Sequence, residues 1–184
     1  QQKLIAYIVQ LAKVNGFADP TKMDVDSTVQ EANMTYPSDG RLLVKLSMMC
    51  NKVLDYIKIG NFSISHAFKD ISINLKAIKE KAKEYFFIAN NKEKEIKYEA
   101  FKQFYKIVYS QLIDKINSLN ELPTRVINKF KWNIKTTLEQ IQCHALKYLT
   151  DVKYFIKTQT MKTGKILSFH LNKVACIKKG KAGK

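Results

Sequence analysis

Arginine is nearly absent from this chain: its 32 basic residues include only Arg41 and Arg125. Lysine is a hydrated point charge that suits phosphate oxygens, whereas bidentate reading of a base edge favours the guanidinium fork. The scarcity argues against sequence-specific base recognition. Cysteine is also scarce. Cys50, Cys143 and Cys176 show no paired spacing and no CxxC, which excludes a disulfide framework and fits packing thiols in a reducing cytoplasm. Cys143 and His144 are adjacent on a predicted helix, so their side chains diverge by about 100° and make a poor metal pair. They read as packing residues, and the isolated His66 and His170 carry no chemistry. Long apolar runs are missing as well. Leu4–Val14 is interrupted by Gln10 and Lys13 and is too short to cross a bilayer, so neither a signal peptide nor a membrane span is expected. The last absence is acid, since none occurs after Asp151.

What is present is lysine and apolar periodicity. Sixteen acids against 32 bases leave a formal charge of +16. Residues 1–60 hold seven basic and six acidic residues, a net of +1; residues 61–184 hold 25 and 10, a net of +15. A polyanion such as DNA would meet the later helices and tail first. The plainer reading is that solvated lysines keep long helices soluble. At 184 residues and 46% hydrophobic, the chain can bury a sizeable core.

Over residues 2–15, Leu4, Ile8, Leu11 and Ala12 share one helical face, closed by Asn15-Gly16. Lys22–Asp26 alternates Met23 and Val25 against Asp24 and Asp26, a short strand pattern. Tyr36-Pro37-Ser38-Asp39-Gly40 breaks the chain, with Ser38 or Asp39 suited to cap the next helix. Helical stripes follow: Leu42, Leu46, Met49, Val53 and Ile57; then Ile64, Phe68, Ile71, Leu75, Ile78, Ala82 and Tyr85 at heptad spacing. After Asn90-Asn91 come Phe101, Tyr105, Val108, Leu112, Ile116 and Leu119. Beyond Pro123, a stripe from Ile127 and Phe130 through Phe155 predicts one helix of about eight turns. The expected fold is mainly α, with long antiparallel helices in a bundle or coiled-coil-like arrangement. Trp132 and the tyrosines, at such spacings, read as packing residues before base-stacking ones.

One strand near residue 24 has no evident partner within the chain, and a lone strand leaves backbone groups unpaired. Either the segment is not a strand, or its sheet lies mostly beyond residue 184. The Gln-Gln start and basic finish read as cut ends. The organisation expected is a helix, first strand and turn over 1–40, a helical bundle over 41–163, and a basic tail over 164–184, with Lys178–Lys184 a phosphate-holding loop or a linker.

The run Met23-Asp24-Val25-Asp26-Ser27-Thr28-Val29-Gln30-Glu31-Ala32-Asn33-Met34-Thr35-Tyr36-Pro37-Ser38-Asp39, followed by Leu42-Leu43, resembles the first catalytic motif of DDE transposases from bacterial insertion sequences. In that group a strand ends in Asp-Ser-Thr-Val, and a Tyr/His-Pro-Thr/Ser-Asp turn leads into a leucine-rich helix. Leu11–Gly16 matches the helix before the strand, and Lys179–Lys184 looks like the basic loop that opens the next part of the core. The helices between match only in being helical. The resemblance implies an RNase H-like core and three carboxylates holding two divalent ions, Mg²⁺ or Mn²⁺, one activating the attacking hydroxyl and one stabilising the leaving oxygen. It assigns Asp26 as a catalytic metal ligand and not a general base. Asp24 lies on the same polar strand face, whereas Asp39 and Glu31 are not ligands by this match, and Glu139 and Asp151 lie in helical stripes without matching context. A single carboxylate holds Mg²⁺ weakly, so cleavage by this piece alone is not expected.

Without the surrounding motif, an Asp-Ser-Thr after a strand would simply cap a turn. Two readings from different classes therefore stand: part of an enzyme that cuts and joins DNA, or a non-enzymatic basic helical module that binds nucleic acid. Self-association through the helices fits either, and a small-molecule substrate fits neither. Adhesion to anionic membranes is disfavoured, because heptad stripes suit helix partners better than lipid.

Overall fold

Apolar stripes at helical spacing need partners to bury them, and the second part of the chain supplies those partners itself. The computed structural model describes residues 7, 10, 11, 13–16, 38–160, 162–166 and 168–169. The chain divides into two compact units, Gln1–Asn33 and Met34–Lys184. In the first, residues 7, 10, 11, 13 and 14 are helical. The helix closes where Asn15 donates both its backbone N–H (3.1 Å) and its side-chain amide (2.8 Å) to the Leu11 carbonyl. Gly16 follows at φ +75°, the left-handed position that glycine adopts without a Cβ penalty. Leu11 itself remains exposed.

The second unit contains helices α1 (Ser38–Ile59), α2 (Leu75–Asn91), α3 (Lys94–Asn120), the single turn α4 (Thr124–Ile127) and α5 (Trp132–Thr158), with a 3-10 turn at Ser65–Phe68. The described residues contain no strand; the strand expected over Lys22–Asp26 lies outside them. Side-chain hydrogen bonds reveal the helix directions. Asn74 N–H donates to Gln111 Oε1 at 2.9 Å, while Tyr85 stacks on Phe104 with ring centroids 5.7 Å apart, so α2 and α3 are antiparallel. Tyr105 donates to Leu149 O at 2.8 Å and Gln142 donates to Leu119 O at 3.0 Å, so α3 and α5 are antiparallel. Tyr148 donates to Asp39 O at 2.7 Å, and Tyr56 Oη accepts from Lys131 N–H at 3.3 Å, so α1 and α5 are antiparallel too. The result is an antiparallel helical bundle, as the stripes predicted. Helices α1 and α3 also touch across its middle.

Its core is one continuous cluster in which Leu43, Leu46, Val53, Leu54, Ile57, Ile78, Val108, Leu112, Ile116, Leu119, Leu138 and Ile141 are fully buried. Each such side chain contributes about 1.5–3 kcal/mol relative to exposure.

Two predicted seams are not continuous helices. The stripe from Ile64 to Tyr85 is split because Ser65 folds back on the end of α1. Its hydroxyl contacts the carbonyls of Ile57 (2.7 Å) and Gly60 and accepts from Phe62 N–H. Helix α2 then starts only at Asn74, whose side chain caps Ala77 N–H at 3.0 Å. Apolar residues in a connection thus matched a heptad by spacing: Phe68 is buried and Ile71 packs against the core from the connection. The stripe from Ile127 to Phe155 is likewise interrupted by a turn at 128–131. There Phe130 plugs an aromatic pocket with Tyr56 and Phe62, at centroid distances of 5.4 and 5.1 Å.

At Gly40 the close approach of α2 requires glycine. A Cβ there would overlap the Tyr85 ring and lie 2.9 Å from Phe86, and Tyr85 is itself buried. Helix propensity alone favours alanine by about 1 kcal/mol, but overpacking a buried ring costs about 1–3 kcal/mol. Gly40→Ala is therefore expected to lower the urea midpoint, and a midpoint raised by the substitution would disprove the contact.

Candidate functional site

Asp26, the catalytic and metal-binding residue that the motif suggests, lies outside the described residues, as do Asp24, Glu31, Tyr36-Pro37, His170 and the basic loop Lys178–Lys184. Of the motif, Ser38 and Asp39 are described, and they open α1. Leu42 and Leu43 are buried in the next turn, so the segment after the turn behaves as a core helix.

Asp39 lies at the centre of a polar group that joins α1, α5 and the segment after α5. Its Oδ2 accepts from Lys165 Nζ at 2.5 Å, with the two side chains only 16% and 11% exposed. Its carbonyl accepts from the fully buried Tyr148, and the Lys165 ammonium also sits 5.7 Å from the Phe155 ring centroid. Lys165 reaches Asp39 because the chain reverses after α5. Gln159 is left-handed at φ 55° and Gly164 at φ 70°, and Lys147 Nζ contacts Gly164 O at 3.4 Å. The returning segment continues with Phe169, fully buried and edge-on to Tyr148 at 5.3 Å. Lys162 adds a second tie, 3.4 Å from the buried carboxylate of Asp151 and 4.8 Å from the Tyr154 ring centroid.

The electrostatics make this a structural node and not a reactive one. The Asp39 carboxylate is engaged by an ammonium group through Oδ2. Burial raises the Tyr85 hydroxyl from 10.0 to about 12, and the negative charge of Asp39 adds to the rise. Burial also raises Tyr105 and Tyr148, with nearby Tyr109 and Asp39 contributing respectively. Tyrosines held protonated in this way are poor bases and nucleophiles at neutral pH. Cys50 is fully buried, and its thiol is pushed from 9.0 up to about 12 by desolvation, so it is inert. Cys143 is exposed, contrary to its reading as a packing residue, because it sits two positions from Ala145 and Ile141 and faces away from the α5 stripe. Among the described residues no three His, Cys, Asp or Glu side chains converge.

A second feature escaped sequence reasoning. Trp132 is 80% exposed and is not the packing residue its spacing suggested. The turn at 128–131 makes it the first residue of α5, and Ile134 opens the buried stripe two positions later, about 200° around the helix. The missed signal is the run from Leu122 to Leu138, which holds Arg125, Lys129, Lys131 and Lys135 and no acid.

No family model matches this chain, and comparison with curated proteins and with solved structures also returns no match.

Two expectations follow from the node. In a double-mutant cycle of Asp39→Asn and Lys165→Met read by urea unfolding, a half-buried pair should show a coupling of about 1–3 kcal/mol, above the ~0.2–1 kcal/mol of an exposed pair. Additivity would make the contact incidental. For the tyrosines and Cys50 the folded pKa lies above the unfolded one. Their contribution is therefore complete below the unfolded values, and it is lost as pH climbs through the folded ones. Urea midpoints should hold up to about pH 9 and fall from pH 10 toward 12. Tyr148→Phe should flatten that fall; an unchanged slope would exclude Tyr148 from it.

Proposed function

We propose that this chain supplies the first catalytic carboxylate of a DDE-type DNA transposase, with Asp26 as a metal ligand and the basic helical bundle as an insertion that contacts DNA. The observation that carries this reading is the run Met23–Asp39 leading into Leu42-Leu43. Such a run joins an acid-ending strand pattern, a proline turn and a leucine-rich helix, and it is far more specific than a lone Asp-Ser-Thr. Two structural details support it. Helix α1 opens at Ser38, the residue after Pro37 in the sequence, and its first leucines are buried. Asp39 is paired with Lys165 through Oδ2, which favours Asp26 over Asp39 as the motif's metal-binding acid.

When bound, a pair of Mg²⁺ or Mn²⁺ ions supplies activation of the attacking hydroxyl and stabilises the leaving oxygen. Carboxylate oxygens suit these hard cations, and Asp26 would hold one of them. The other carboxylates that such chemistry needs do not come from any convergent group of the described residues. The charge distribution supports a nucleic-acid partner, since residues 61–184 carry a net of +15. The same charge also supports the second reading, a non-enzymatic basic helical module on nucleic acid.

Asp26→Asn, placed in the complete reading frame, separates the two. It is expected to abolish Mg²⁺-dependent strand cleavage of a labelled duplex while leaving salt-sensitive DNA binding largely intact. Cleavage that survives the substitution would remove Asp26 from the mechanism, and binding without cleavage in the unsubstituted protein would favour the module.

A further inference from the structure

At the end of the bundle where α1 finishes and α5 begins, the fold displays its single tryptophan to solvent among unpaired bases. Trp132 is 80% exposed, although tryptophan is normally among the most buried side chains by average. It is not a floppy terminus, because the turn before it is anchored. Phe130 is buried between Tyr56 and Phe62, and the Lys131 N–H is held by Tyr56 Oη. With Phe130 turned inward, its neighbours Lys129 and Lys131 are both exposed. Lys135, three residues after Trp132, falls on the same face of α5, and Arg125 is exposed on α4, one turn before Lys129. No carboxylate of the described residues lies within ion-pair distance of any of these four cations. Asp55, an acid near this end on α1, is engaged by Lys58 at 4.0 Å and by the Asn51 amide. Helix α5 also starts without a side-chain cap on its first amides, so the positive end of a long helix adds to the patch.

We propose that this end of the bundle binds single-stranded nucleic acid, with Trp132 stacking on an unpaired base and Arg125, Lys129, Lys131 and Lys135 holding the flanking phosphates. An aromatic face set in a positive groove is the general arrangement for binding unpaired strands without sequence preference. Three of the four cations are lysines, which contact phosphates without reading base edges. A duplex offers the ring no open base face. Ile59, 85% exposed at the end of α1, is a second apolar side chain at this end. Asn128, Asn133 and Thr136 around Trp132 are polar, however, which fits a base and backbone better than an acyl layer. The inference rests on the nucleic-acid partner of the proposed function and not on Asp26.

Because Trp132 is the only tryptophan, its emission reports this site alone. Titration with an oligothymidylate of about 16 nucleotides, the upper range of a single-strand site, should quench it at low salt. With four phosphate contacts, the log affinity should fall against log salt with a slope of about −2 to −3. Trp132→Ala, a change at an exposed position that should leave helical circular dichroism intact, should weaken binding of a labelled oligomer about 10-fold or more. Lys129→Gln/Lys131→Gln should reduce the slope by about 1.4 and preserve quenching at saturation. The proposal is overturned if the oligomer binds with Trp132 emission unchanged, if Trp132→Ala binds as tightly, or if no oligomer binds. It is also overturned if emission shifts only with vesicles of phosphatidylserine and phosphatidylcholine, which would assign the patch to a membrane surface. Duplex cleavage that depends on Asp26 while Trp132 stays silent would leave the transposase reading standing and remove only this site.

Discussion

The contact between Asp39 and Lys165 ties together parts of the bundle that sequence order keeps far apart. Asp39 begins α1, and Tyr85, near the end of α2, stands within reach of its charge. Tyr148 from α5 bonds its carbonyl, and the segment returning after α5 supplies the cation. A carboxylate this enclosed is costly to bury unless it is paired. The pairing therefore constrains where the returning segment runs, and Phe169 then fills the space beside Tyr148. Removing the ammonium would leave a half-buried charge with one oxygen, Oδ1, already lacking a partner. The start of α1 thus depends on residues more than a hundred positions later.

That dependence explains what was legible in the sequence and what was not. The stripes of α1 and α3 were readable because each apolar residue buries on its own helix, and Leu46, Val53, Leu112 and Ile116 are all fully enclosed. Periodicity could not distinguish a helix from a connection that buries side chains at the same spacing. Phe68 and Ile71 therefore looked like heptad positions until Ser65 and Asn74 proved to end one helix and begin another. Trp132 was misread for the same reason, since a stripe carried through the turn at 128–131 puts it inside a helix and not at its first residue. The Asp39–Lys165 pair had no local signal at all: nothing in a one-dimensional pattern shows which of 30 lysines will reach back to a given acid.

The distribution of lysine follows from the same geometry. A bundle of amphipathic helices must expose the polar half of every turn, and with 32 bases against 16 acids most of the charged positions are positive. Some of it is neutralised locally, as in Lys81–Glu84 and Lys102–Glu99 at 2.8 and 3.2 Å, pairs that contribute little individually. Elsewhere cations lie over aromatic rings, with Lys153 5.7 Å from the Tyr109 centroid and Arg41 5.2 Å from that of Phe86. The Leu122–Leu138 stretch has neither compensation. Unpaired like charges gathered on a rigid turn destabilise the free protein slightly through repulsion, and an anionic partner relieves that repulsion on binding.

Of the motif's acids Asp39 is the one among the described residues, and its surroundings bear on what it can do. A catalytic metal ligand offers its carboxylate oxygens to a cation, and a neighbouring ammonium competes for the lone pairs of the oxygen it contacts. Asp39 is in that state, with Lys165 at 2.5 Å, and Asp151 is in a similar one, with Lys162 at 3.4 Å. These two acids are the most buried carboxylates of the bundle, and both are held by cations from the segment that returns after α5. Burial here therefore marks acids that hold the fold together. In the function proposed for this chain the metal ligand is Asp26, and neither of these two acids takes that role.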